Sequence, residues 1–274
     1  MTCAVQLEYQ PVRQLLTEAR DYNDWFSKTN DTESEQFIDH IHLSEISNKL
    51  KNHIGYLQFS HANAVNSVEL LKAYKTFSPG KAIRYELFDF NELIIEQTCV
   101  TYKNQQFDQL IFCDGYRANA NPFWSWLPFQ PVKGEIIDIY APNLQLDFIL
   151  NSLLYIIPQG ADKYKVGATY NWKDKTDLPT AEGKAELIER IKEIINCDFE
   201  IIEHFAGVRP TVKDRRPLVG THSEYNRLHI LNGLGTRGVM LGPAMAKSLF
   251  DQIEHQIPLD KEIDIQRFRN KTKK

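Results

Sequence analysis

Leu228-His229-Ile230-Leu231-Asn232, then Gly233-Leu234-Gly235-Thr236-Arg237-Gly238, then Val239-Met240-Leu241-Gly242-Pro243-Ala244-Met245-Ala246-Lys247-Ser248-Leu249-Phe250 run without a break near the C-terminus. An apolar strand enters a G-x-G-x-x-G turn that opens a helix, predicted over about Val239 to Ile253. In a complete βαβ unit such a pattern spans about 30 residues, with a second parallel strand and an acidic residue about 20 positions on. The segment from Asp251 to Lys274 is instead polar, carries Asp260, Lys261, Glu262 and Asp264, and offers no buried parallel strand. What remains is a tight glycine turn at a helix N-terminus, whose backbone N–H groups suit an electron-rich ligand.

Around that stretch the 274 residues are 42% hydrophobic, 25% charged and 11% aromatic, enough for a sizeable core shared by two domains. A net charge of −4, with no basic block beyond the tail Arg267 to Lys274, disfavours a nucleic-acid or membrane-surface footprint. Cys3, Cys99, Cys113 and Cys197 are scattered and form no C-x-x-C pair. With no signal peptide and no apolar run of about 18 residues, a reduced, cytoplasmic protein is expected.

The chain to His53 reads as helical, because Val12, Leu15, Leu16, Ala19, Tyr22 and Phe26 recur at three- and four-residue spacing. Asn63 is the expected cap of a second helix carrying Val65, Val68, Leu71 and Tyr74. Strand-like runs follow at Ala82 to Phe90, Leu93 to Tyr102 and Phe107 to Cys113, the last ending in the small-residue turn Asp114-Gly115-Tyr116. Antiparallel strands are expected at Val132 to Tyr140, Phe148 to Ile157 and Tyr164 to Tyr170. A helix over Thr180 to Ile195 and a strand over Phe199 to Phe205 come next, leading to Gly207-Val208-Arg209-Pro210. The fold class is α/β (α+β) with two interleaved domains: a helical segment 1–53, first-domain portions 54–127 and 214–274, and an antiparallel domain 128–213.

Several of these stretches resemble the FAD-dependent D-amino-acid oxidase and glycine oxidase superfamily, in the family's own order. Phe107 to Tyr116 is similar to its strand ending in a small-Gly-aromatic turn, and Pro131-Val132-Lys133-Gly134-Glu135 to its P-x-(K/R)-G-(E/Q). Leu154-Tyr155-Ile156-Ile157-Pro158 with Val166-Gly167-Ala168-Thr169 is similar to its Y-x-x-P…x-G-A-T. Gly207-Val208-Arg209-Pro210 with Asp214, Pro217 and Gly220 is similar to its G-x-R-P…D-x-x-P-x-x-G, and Gly233 to Pro243 to its last flavin-contacting turn and helix. The resemblance covers roughly Gly55 to Phe268. It implies an incomplete FAD-binding, glutathione-reductase-like domain interleaved with an antiparallel-sheet substrate domain.

The resemblance places a carboxylate-binding arginine at Arg209, whose planar guanidinium forms a bidentate fork; the plain alternative is an arginine paired with a surface carboxylate. Tyr155 takes the position of a hydrogen-bond donor to the same substrate, or else packs as an amphipathic strand residue. Gly233, Leu234, Gly235, Thr236, Arg237 and Gly238 correspond to the turn beside the flavin, where a helix N-terminus favours negative charge. Arg237 adds a cation near the flavin edge or the substrate, or points to solvent. Cys113 and Gly115 correspond to the ribityl-diphosphate contact, a place where Asp114 is awkward for an anion. Arg215 and Arg216 read as solvated, and His61 and His229 as structural. FAD is expected to be non-covalent, no metal-ligand spacing is present, and no catalytic acid or base is required when positioning carries the rate.

The family's N-terminal G-x-G-x-x-G βαβ unit has no counterpart in Met1-Thr2-Cys3-Ala4-Val5-Gln6 and the segment after it. The expected activity is oxidation of a small amino acid or amine to the imine. The rivals are an FAD-less, non-enzymatic remnant and one subunit of a split oxidase whose partner chain supplies the dinucleotide-binding unit. The G-(S/T)-R-G form of the turn also keeps a modified tRNA base in view as substrate. Losing a diphosphate cradle removes several backbone hydrogen bonds of about 1 kcal/mol each, more when charged. At about 1.4 kcal/mol per decade, that weakens FAD by roughly a thousandfold. The expected visible spectrum of the purified chain therefore shows substoichiometric flavin, and a stoichiometric flavin spectrum overturns this.

Overall fold

The computed structural model describes residues 10–29, 31–77 and 83–269; Cys3, Ala82 and the end of the basic tail, 270–274, lie outside them. Its first third holds β1 (Val12–Leu16), α1 (Ala19–Thr29), β2 (Ile38–His42), β3 (Gly55–Phe59), α2 (Ser67–Phe77), β4 (Leu93–Ile95), β5 (Val100–Tyr102), β6 (Gln105–Phe107) and β7 (Leu110–Phe112). Then come β8 (Val132–Tyr140), β9 (Ile149–Asn151), β10 (Tyr155–Gly160), β11 (Lys163–Gly167), α3 (Ala181–Ile194) and β12 (Glu200–Arg209). The chain ends in β13 (Leu218–Thr221), β14 (Leu228–Asn232) and α4 (Gly238–His255). This is a mixed α/β chain, and its two units interleave. One takes the chain up to Phe77 with Lys133–Asn171 and Thr176–Gly207; the other takes Ser78–Val132, Trp172–Lys175 and Val208–Lys274. The breaks thus fall after 77, 132, 171, 175 and 207; the sequence alone suggested 53, 127 and 213.

In the first unit, eight strands form one sheet in the order β12-β8-β11-β10-β9-β1-β3-β2. The expected antiparallel middle is there: β9, β10, β11 and β8 pair antiparallel in succession. Ile137, Ile139, Ile156 and Val166 point to one face and are fully buried. Leu187, Ile191 and Ile194 of α3 pack there at the i, i+4, i+7 spacing of a helix stripe.

The helical reading of the N-terminal segment is corrected: Val12–Leu16 is a strand, paired antiparallel with β3 and parallel with β9. Its apolar spacing satisfies both periods over so short a run, and pairing on two sides decides for the strand. The helix starts only at Ala19, where the Asp21 carboxylate accepts the N–H groups of Thr17 (2.8 Å) and Glu18 (3.2 Å). The second helix forms as expected, but its cap is Asn66, whose Oδ1 accepts from Val68 and Glu69 N–H. Residues 83–89 form no strand, although the sequence alternates there; Phe88 instead stacks on Tyr102 with centroids 4.4 Å apart.

The second unit has two three-stranded sheets, β13-β14-β7 and β4-β5-β6. β14 runs antiparallel to β13 and parallel to β7. Val100, Phe112, Trp124, Leu218, Leu228, Ile230 and Ile265 fill its core. Among the described residues no strand follows α4, as the sequence implied.

The start of α3 is fixed by a buried carboxylate. Thr180 caps the helix, its hydroxyl accepting from Gly183 N–H at 3.0 Å. Thr180 in turn donates its own N–H and O–H to Glu135 at 2.9 and 2.7 Å. His204 Nε2 lies 2.8 Å from the same carboxylate, and Lys133 Nζ 3.6 Å. Burial acts to raise the Glu135 pKa, but the Thr180 hydrogen bonds, Lys133 and His204 together hold it below the usual range. A carboxylate with a depressed folded pKa contributes stability above its unfolded value and loses it as pH falls through the folded one. Glu135→Gln is expected to lower stability near neutral pH by about 3–5 kcal/mol, because it removes one charged partner from a buried ion-pair and hydrogen-bond cluster. It should also flatten the acid limb of a denaturation series run as a function of pH; an unchanged acid limb refutes the assignment.

Candidate functional site

In the second unit, β7 and β14 lie side by side and parallel, so their carboxyl ends open onto the same edge. The turn Cys113-Asp114-Gly115 leaves one strand and Gly233 to Gly238 leaves the other. Such paired carboxyl ends are where open α/β sheets place ligands. Asn232 joins the two turns: its Nδ2 donates to Asp114 Oδ1 (3.2 Å) and to the Gly115 carbonyl (3.0 Å), while its Oδ1 accepts Gly233 N–H (2.8 Å). Asp114 also accepts from Asn121 Nδ2 at 2.9 Å. The awkward anion of the sequence is thus engaged by two amides.

The glycines are conformational requirements at two points. Gly233 has φ +72° and a Cβ there would meet Val212 Cγ2 at 2.7 Å. Gly235 has φ +55°, and its N–H donates to the Pro210 carbonyl at 3.3 Å. Those contacts seat the glycine turn on the segment after Arg209, which closes β12 and is half-buried. Arg237 is exposed at the N-cap of α4 and donates from Nη2 to the Arg215 carbonyl at 3.3 Å. Arg216, a local competitor, is engaged by Glu262 at 3.1 Å.

Tyr155 opens β10 in the first unit, on the sheet face opposite the buried Ile156, and is 49% exposed. Burial, with Tyr170 nearby, pushes its phenol pKa up, so the O–H is a donor at neutral pH. In the second unit, burial followed by the nearby Arg227 lowers the His229 pKa to about 4. Its neutral ring lies between Thr221 Oγ1 at 3.0 Å and Gln109 at 2.8 Å, a structural role as expected. His61 sits in an exposed left-handed turn at φ 55°. The Cys113 thiol is raised by the protein packed around it and by Asp114, so it is no reactive thiolate.

Sequence reasoning quoted Asn232 but gave it no role. The signal was local, a buried amide at the end of an apolar strand, but its partners are 117 and 118 residues away. A cavity of about 670 Å³ lies elsewhere, near the end of α3, lined by Lys51, Ile188, Lys192, Ile195 and Cys197 among others, and holds none of the candidate residues. Among the described residues no group of three or more His, Cys, Asp or Glu could hold a metal, and no helix is long and apolar enough to cross a membrane.

Residues 13–252 match the model of a family described as FAD dependent oxidoreductase. Glycine oxidase of Bacillus licheniformis is 31% identical over 128 residues, which are 46% of this chain and 35% of that protein. The tRNA 5-methylaminomethyl-2-thiouridine biosynthesis bifunctional protein of Marinobacter nauticus is 28% identical over 143 residues, 47% of this chain and 23% of that protein. The chain therefore spans about a third or less of the length of these relatives. In fold it is similar to iminodiacetate oxidase from Chelativorans sp. BNC1, with a TM-score of 0.77 at 20% identity, covering 93% of this chain and 76% of that one.

Asn232 is 4% exposed, and leaving buried polar partners unsatisfied costs about 1–3 kcal/mol per group. Asn232→Ala is expected to lower stability by at least about 2 kcal/mol in denaturant titrations, whereas exposed Arg237→Ala should stay within about 0.5 kcal/mol. Equal effects would show that the amide does not join the turns.

Proposed function

We propose that this chain, which belongs to the FAD-dependent oxidoreductase family, takes part in oxidising an amine or amino acid to the imine. One observation carries the reading: Asn232 joins the turns 113–115 and 233–238, next to the Arg209–Pro210 segment. The residues present fit the cofactor. A Cβ at Gly115 would meet nothing within 4 Å, one at Gly235 only Thr211 Cγ2 at 4.0 Å, so backbone can approach a ligand closely at both turns. The first N–H groups of α4 have no partner within the helix and carry its positive dipole end.

FAD, held non-covalently, supplies the two-electron acceptor. Within the turn Gly233, Leu234, Gly235, Thr236, Arg237 and Gly238, the N–H groups of Gly233, Gly235 and Arg237 are taken by Asn232, Pro210 and Leu234; those of Leu234, Thr236 and Gly238 would face the flavin, with Cys113 and Gly115 the other turn. Arg209 would clamp a substrate carboxylate through its bidentate fork, and Tyr155 would contribute its phenolic O–H as a hydrogen-bond donor to substrate. Arg237 would add positive charge at the mouth of the glycine turn. With the amine neutral, these groups orient the Cα hydrogen and need transfer no proton.

We assign the remainder of the flavin cradle to a partner segment bearing its own G-x-G-x-x-G turn. Among the described residues the edge of β7 away from β14 pairs with no strand, and Ile111 there is 46% exposed. A modified tRNA base is the second reading, favoured by the similarity to the Marinobacter nauticus protein; the net charge of −4 supports a small substrate instead.

The test is anaerobic mixing of the chain with FAD and a small amino acid, with and without a separately expressed βαβ segment. Flavin bleaching that requires the added segment is expected, and no flavin binding in either mixture refutes the reading. In the active mixture, Arg209→Ala should cost roughly 2–5 kcal/mol of substrate affinity, as for one lost partner of a desolvated charge pair. Loss of less than about 0.5 kcal/mol would leave Arg209 a structural residue.

A further inference from the structure

We propose that Lys165, held by Asp138 on the open face of the first unit's sheet, selects a substrate that carries a second carboxylate. The inference rests on the reading of Tyr155 as a substrate contact. Register places the residues: Gln14, Asn151, Tyr155, Gly167 and Ile136 are successive Cα partners from β1 to β8. Two residues further along the strands, Ile157, Lys165 and Asp138 form the next row of the same face. The residues between the rows, Ile156, Val166 and Ile137, are 0% exposed and point into the core.

Lys165 Nζ lies 2.5 Å from Asp138 Oδ1, with side-chain exposures of 32% and 24%. The same ammonium stands 5.0 Å from the centroid of the Phe205 ring. An ordinary cross-strand pair on a solvated face contributes about 0.2–1 kcal/mol and needs no apolar surround. This pair sits on interior strands of the sheet, flanked by Ile136, Ile157 and Phe205, with most of both side chains covered. An ammonium has three donors; among the described residues Asp138 takes one and the Phe205 ring faces another. Of the pair Lys165 is the more exposed side chain, and the ammonium donor that remains is what a second carboxylate would engage. Gly167 leaves the row beside Tyr155 without a side chain, and a Cβ there would meet Ile136 Cγ2 at 2.3 Å. A substrate whose first carboxylate engages the Tyr155 row thus lies about 7 Å, two residues of strand, from the cation that receives its second.

The probes are N-(2-carboxyethyl)glycine and N-propylglycine, achiral secondary amines that differ in the second carboxylate. Binding to the full chain, mixed with the separately expressed βαβ segment and with FAD in excess, is measured by calorimetry. The expected result is at least tenfold tighter binding of the dicarboxylate. Lys165→Met, and the double variant K165M/D138L that leaves no charge unpaired, should abolish that preference and leave N-propylglycine unchanged. Asp138→Asn should keep it. Equal affinity of the two probes for the unaltered chain, equal losses for both probes in the variants, or loss of the preference in Asp138→Asn would each overturn the proposal. N-propylglycine binding without any preference sinks the specificity alone. If neither probe binds, the amine-oxidation reading falls with it.

Discussion

One buried amide sets the geometry on which the candidate cofactor site depends. Asn232 ends β14 and is almost wholly buried, yet it satisfies both ends of its side chain, donating to Asp114 and Gly115 and accepting from Gly233. Parallel pairing of β7 and β14 brings two turns to the same edge, but pairing alone leaves the turns free to diverge. The amide removes that freedom, because an alternative arrangement would strand several polar groups away from water. Gly233 completes the constraint from the other side: its left-handed backbone and the Val212 methyl group at the vacant Cβ position admit no side chain.

A second polar knot plays the corresponding part in the first unit. Glu135 gathers Thr180, His204 and Lys133, and so ties the N-terminus of α3 to β8. The two knots differ in what they risk. The amide bonds in the second unit lose about a hydrogen bond apiece when broken, more where Asp114 accepts, whereas removing one partner of a buried Lys–Glu pair is costlier. The sheet that carries Tyr155 therefore rests on the more brittle of the two.

How far the sequence reveals this depends on the range of each interaction. The strand, glycine turn and helix from Leu228 to His255 were readable, because a positive-φ turn and a helix start are local demands written in adjacent residues. β8 and β11 were readable for the same reason, but the single strand read over Phe148 to Ile157 is two, β9 and β10, which pair with each other across a turn. Val12–Leu16 was not: it is a strand because β9, far along the chain, pairs with it, and five residues carry too little periodicity to announce that. Asn66 displaced Asn63 as cap through a geometric detail of one turn. Asp114 looked like a repulsive anion because its partners, Asn121 and Asn232, were not visible as neighbours. The roles proposed for Arg209, Tyr155 and Arg237 came from family resemblance, and the structure supplies their settings.

The helix that follows the glycine turn explains why such a turn is suited to chemistry as well as binding. Only Leu249 of α4 is buried, packed with Val219 and Leu259. The first turn exposes Val239 and Met240 at 53% and 67%. Apolar side chains at a helix N-terminus add nothing to the dipole, but they control the water around it. A charge of opposite sign beside that terminus interacts weakly while solvent screens it, and several times more strongly once a ligand and its covering protein exclude water. The turn from Gly233 to Gly238 therefore combines a backbone held by Asn232 and Pro210 with an apolar rim. Its electrostatic strength grows as the site is covered, which is the property an acceptor of developing negative charge requires.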